Sequence, residues 1–158
     1  RFENLSRIGT YEDGLFNLCY FAHVKSAIYI PDYLSHYRKN TGMTSKYRSQ
    51  LASQWKTLFS DMRVYIEKSG NDSDLKKALD NRISLSIIGL GLNALALPNR
   101  EALTEIRNVL SDREYRAAIK TLPMRYFPPH WWVFFACCKL NFSAGVFLLL
   151  KCIERMKG

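Results

Sequence analysis

The chain has 158 residues, 47% of them hydrophobic and 13% aromatic, with 23 Lys and Arg against 14 Asp and Glu for a formal charge of +9. This composition excludes a disordered tail or a collagen-like repeat, and the length excludes a self-contained enzyme with separate nucleotide-binding and substrate domains. The positive charge admits phosphates, nucleic acid or an anionic membrane as partners and says nothing of fold.

The charge is unevenly placed. Residues 1–50 carry +3, residues 51–112 are neutral, and residues 113–158 carry +6. The four cysteines (Cys19, Cys137, Cys138 and Cys152) form no CxxC and have no Cys/His spacing suited to zinc, so they read as small buried apolar residues in a reducing setting. The sequence opens Arg1-Phe2-Glu3-Asn4, without an initiator Met or a leader, and is expected to be a piece of a longer protein.

Taken in chain order, Glu12-Asp13-Gly14 precedes apolar residues three and four apart, which predicts a helix of about three turns with an acidic first turn. Ala27-Ile28-Tyr29-Ile30 and Tyr33-Leu34-Ser35-His36-Tyr37-Arg38 flank a Pro31-Asp32 turn signal and read as two short strands. A polar, Gly-containing loop follows over 39–45. From about residue 46 the period becomes 3.6. Tyr47, Leu51, Trp55, Leu58, Phe59, Met62, Tyr65 and Ile66 form one stripe, stopped by Ser69-Gly70-Asn71.

The next helix opens at Asp72 or Ser73 and runs towards Pro98. Gly89 and Gly91 weaken it locally, while apolar residues nearly all round it predict the central, buried helix. Asn99 and Ser111 are expected to cap helices over 100–110 and 112–121. After Pro128-Pro129, residues 131–150 are long enough to span a bilayer, but Lys139 and Asn141 interrupt them. Two short helices broken near Asn141 fit better. They lie in a membrane interface, with Trp131, Trp132, Arg125 and Lys139 as contacts, or pack as a hairpin on the preceding helices.

Asp13, with Glu12 beside it, is the candidate general base, because a carboxylate at a helix start near a substrate loop can accept a hydroxyl proton. Two acids opening a helix also serve simply as dipole partners. His36 and Arg38 alternate on the second strand. An Arg leading into a polar loop that includes Thr44 and Ser45 can hold phosphate oxygens, and the alternative is a solvated strand edge.

The order Phe2-Glu3-Asn4, Tyr11-Glu12-Asp13-Gly14-Leu15-Phe16-Asn17, Ala27-Ile28-Tyr29-Ile30, then Leu34-Ser35-His36-Tyr37-Arg38 through Ser45, resembles the end of the catalytic domain of a bacterial family 2 glycosyltransferase of GT-A type. The resemblance covers about residues 1–48. It implies that Asp13 is the catalytic base on the acceptor hydroxyl, and that Arg38, His36, Thr44 and Ser45 lie near the donor diphosphate or the acceptor. It also implies a nucleotide-sugar donor and a Mn or Mg ion held by an Asp-x-Asp motif. That motif is missing here, since Asp72-Ser73-Asp74 sits at a helix cap.

The expected fold is therefore mainly α: a short α/β segment over 1–48 ending a GT-A domain, then a helical accessory bundle over 49–158 with a basic tail at 124–158. The expected function is sugar transfer to a lipid-linked or surface polysaccharide acceptor at the inner face of the plasma membrane, the fragment alone being inactive. The competing readings are a basic helical module that binds nucleic acid and one that mediates homo-oligomer formation. Nucleic acid is disfavoured because no Arg/Lys/Asn recognition cluster is present.

Overall fold

A computed structural model of the chain describes residues 12–32 and 46–157. Among them are seven α-helices and no strand: α1 (Glu12–Phe21), α2 (Leu51–Lys68), α3 (Ser73–Ala94), α4 (Asn99–Ser111), α5 (Arg113–Thr121), α6 (Pro129–Lys139) and α7 (Ser143–Lys157).

Six residues of the expected stripe, Leu51, Trp55, Leu58, Phe59, Met62 and Ile66, are buried on α2, whereas Tyr65 is only half-buried and Tyr47 lies before the helix start, also half-buried. Gly70 and Asn71 then take positive φ (101° and 62°), and the Asn71 amide donates to the Ile66 carbonyl at 2.9 Å, closing the helix end. Asp72 caps α3, its Oδ1 accepting from the Asp74 and Leu75 amides at 2.7 and 3.3 Å.

Helix α3 is the hub, packing against α2, α4, α5 and α7. Its two inner glycines make that possible. A Cβ on Gly89 would lie 2.7 Å from the Trp55 ring, and one on Gly91 would fall inside the Leu150 side chain. Asn93, also on α3, pairs with both backbone groups of Arg48. Its Oδ1 accepts from the Arg48 amide at 2.9 Å and its Nδ2 donates to the Arg48 carbonyl at 3.1 Å, which pins the entry to α2.

Asp112, and not Ser111, caps α5, because its carboxylate accepts from the Glu114 and Tyr115 amides at 3.0 and 3.4 Å. Pro98 precedes α4 and gives it no side-chain cap, so Asn99 is its first residue, where it meets Lys151 of α7 at 2.7 Å. Pro129 opens α6 at a position where its missing N–H costs nothing. Phe134 and Phe135 are buried edge-to-face, with ring centroids 5.1 Å apart, and Phe127 and Trp131 close over them. Each buried ring contributes roughly 2 kcal/mol by the area it removes from water. The break before α7 falls at Asn141, at φ 56°.

One expected element is absent. Ala27-Ile28-Tyr29-Ile30 has no regular secondary structure, and Ile28 is 90% exposed. A strand needs a second backbone to satisfy its N–H and C=O groups, and no described residue supplies one. The other expected strand, over 33–38, lies outside the described residues, as does the 39–45 loop. Among the described residues no helix is long and apolar enough to cross a membrane.

Candidate functional site

Helix α1 carries the proposed base. Glu12 and Asp13 occupy its first turn. Leu15 and Leu18 dock it on the core beside α2. Asp13, Phe16, Asn17 and Tyr20 then fall at i, i+3, i+4 and i+7, one outward stripe, and all four are exposed. The Asp13 Oδ1 accepts from the Gly14 amide at 2.9 Å, so the carboxylate is held close to the helix start while remaining open to solvent. One turn below, the Phe16 and Tyr20 rings stack with centroids 5.9 Å apart and planes 12° from parallel. A carboxylate beside an exposed aromatic stack can receive a proton from a hydroxyl of a ring-shaped ligand lying on those rings.

Two shallow grooves border this helix. One, of about 250 Å³, is apolar and runs between α1 and α3, with Gly14, Leu18, Met62 and Leu79 among its walls. The other, of about 460 Å³, is lined by Phe16, Cys19, Tyr20, His23 and Val24. Beside it the Tyr65 hydroxyl donates to the Cys19 carbonyl at 3.2 Å and lies 3.2 Å from His23 Nε2. Burial pushes the Cys19 thiol up against the smaller, opposing effect of the Tyr65 hydrogen bond, which leaves it protonated and a poor nucleophile.

The other substrate residues expected from the sequence, His36, Arg38, Thr44 and Ser45, lie outside the described residues. Among the described residues no group of three or more His, Cys, Asp or Glu side chains is placed to hold a metal ion. Asp72 and Asp74 do not substitute for an Asp-x-Asp pair: the first is committed to the α3 cap and the second accepts from Lys77 at 3.0 Å.

The four residues expected at a membrane divide in two. Trp132 and Arg125 point outwards. Trp131 is half-buried, edge-on to Phe134 at 5.6 Å. Lys139 donates to the carbonyls of Leu122 at 3.0 Å and Lys120 at 3.4 Å, placing its charge at the negative end of α5. The sequence reading missed the outward aromatic stack on α1, because helical spacing counts apolar residues without saying which of them the core has room for. Compared with family models, curated proteins and solved structures, the chain matches none.

Proposed function

We propose that the chain is the C-terminal part of a family 2 glycosyltransferase of GT-A type, in which Asp13 is the base of sugar transfer and the helical part holds the enzyme at a membrane or a partner. The observation that carries this reading is the placement of Asp13: an accessible carboxylate on the first turn of α1, on the same outward stripe as the stacked Phe16 and Tyr20 rings. The order of motif residues around it supports the same reading.

In the step implied, the acceptor oxygen bonds to the anomeric carbon of the donor as the bond from that carbon to the nucleoside diphosphate breaks. The hydroxyl proton passes to the Asp13 carboxylate, and the diphosphate leaves with the electron pair. Glu12 lies beside the base, and Arg38, His36, Thr44 and Ser45 would bind the diphosphate or the acceptor. The divalent ion that such enzymes use would supply charge neutralisation on the diphosphate; the described residues offer no ligand set for it.

The test is an Asp13→Asn exchange in the full-length enzyme, assayed with a panel of nucleotide-sugars. Transfer should fall by about a thousandfold, the middle of the range for loss of a positioned base, with circular dichroism unchanged. Near-normal turnover would remove Asp13 from the role.

A further inference from the structure

Helix α6 has no polar face. Phe134, Phe135 and Cys138 fill the side towards the core. On the opposite side Trp132, Val133, Ala136 and Leu140 follow at i, i+1, i+4 and i+8, one continuous outward ridge. Trp132 is 52% exposed and Leu140 79%, and Phe142 after the turn and Leu148 on α7 are exposed as well. A helix apolar all round normally belongs inside a protein or against lipid, yet α6 lies at the outside of the bundle.

Charge says what covers the ridge. From Tyr115 to Ile153 the sequence has no acidic residue and five basic ones, Arg116, Lys120, Arg125, Lys139 and Lys151. Lys139 is spent on α5 and Lys151 on Asn99 of α4, and Arg125 sits 4.6 Å above the ring of Tyr126, itself well exposed just before α6. The ridge is therefore apolar and aromatic, and the stretch of chain that forms and adjoins it supplies cations and no carboxylate.

We infer that the Trp132–Leu140 ridge, with Phe142 and Leu148, is a docking surface for an anionic lipid bilayer, on which α6 lies in the plane of the interface. A bilayer accepts apolar side chains in any arrangement and rewards unpaired cations through its anionic headgroups. An indole at the boundary suits the headgroup level. A nucleic acid would match the cations and leave the ridge uncovered. The inference commits the docking half of the proposed function to one partner and does not depend on sugar transfer.

The chain is floated with vesicles of phosphatidylcholine alone and of phosphatidylcholine with an equal part of phosphatidylglycerol, over a salt series. Binding is expected on the anionic vesicles only and should weaken as salt rises. A Trp132→Ser, Leu140→Ser variant should lose about tenfold or more of that binding with an unchanged thermal midpoint. An Arg125→Gln, Lys120→Gln variant should lose severalfold through charge alone. Absence of binding to anionic vesicles, or full binding by both variants, overturns the inference. So does a concentration-dependent dimer that the serine variant abolishes, which would make the ridge a self-association face. Asp13→Asn should bind vesicles as the parent does; loss of transfer and loss of docking are thus read separately.

Discussion

Gly91 of α3 lies directly beneath the Leu150 side chain of α7, so close that one added methyl group would force that side chain to shift. Leu150 is fully buried, so the side chain that must shift is itself packed among core neighbours. Gly91→Ala gains about 1 kcal/mol of helix propensity. Overpacking against Leu150 costs about 1–3 kcal/mol and prevails. Urea denaturation should show a net loss, and adding Leu150→Ala should cost less than in the parent background, because the new methyl fills part of the cavity.

Asp112 joins a helix cap to an ion pair with Lys56 of α2. Burial pushes its carboxyl up. The hydrogen bond and charge of Lys56, together with the Tyr115 and Glu114 amides, outweigh burial and leave it below the usual carboxylate range. Since the folded value is depressed, the stabilisation is present above the unfolded carboxylate range and is lost as pH falls through the folded value. Asp112→Ala should cost about 1 kcal/mol at neutral pH, and the difference from the parent should close on acidification below about pH 4. Asp112→Asn, which can still cap, should lose less.

Asn93 acts as a peptide-like partner for Arg48, 45 residues away. Asn93→Asp keeps the acceptor for the Arg48 amide but turns an oxygen towards the Arg48 carbonyl. The exchange should cost about 1–3 kcal/mol and raise amide hydrogen exchange at the start of α2. Asn93→Gln, longer by one methylene, should not rescue it.

Tyr115 is a large buried side chain whose hydroxyl has no hydrogen-bond partner of good geometry, although Ser86 stands nearby and donates instead to the Ile83 carbonyl at 2.7 Å. Burial drives this hydroxyl far above its ordinary range, with Ser86 opposing and the Glu114 and Asp112 charges adding to the rise. Removing an unsatisfied buried group stabilises a fold. Tyr115→Phe should therefore be neutral or stabilising by up to about 1 kcal/mol, and a loss greater than that would show that the hydroxyl is satisfied in solution.

The helical body was legible because its information is periodic. Leu51 to Ile66 announces both the helix and its buried face, and Gly70-Asn71 announces its end. Adjacent cap-type residues were not resolved by this means: Ser111 and Asp112 both suit a cap, and only geometry selects the carboxylate that reaches two amides. Gly89 and Gly91 read as weaknesses because the cost of glycine is local, whereas its benefit lies with Trp55 and Leu150, remote in sequence. Lys139 read as a membrane contact for the same reason, its carbonyl partners being 17 and 19 residues away. At the candidate site, spacing placed Asp13 at a helix start but could not say that Phe16 and Tyr20 would turn outwards. The apolar run Ala27 to Ile30 suits a strand only where a partner strand exists.

The carboxylate-free stretch from Tyr115 to Ile153 has a consequence for control. A surface whose attraction depends on balanced acids and bases can be retuned by mild acidification, but this stretch has no carboxylate of its own to discharge. Its buried Cys138 thiol, pushed up to about 12 by desolvation and by neighbouring Cys137, contributes no anion either. If the stretch docks on anionic lipid as inferred, its hold is loosened by salt, by a modification that adds negative charge or masks an amine, or by a change of lipid, and not by neutralising a carboxylate of its own.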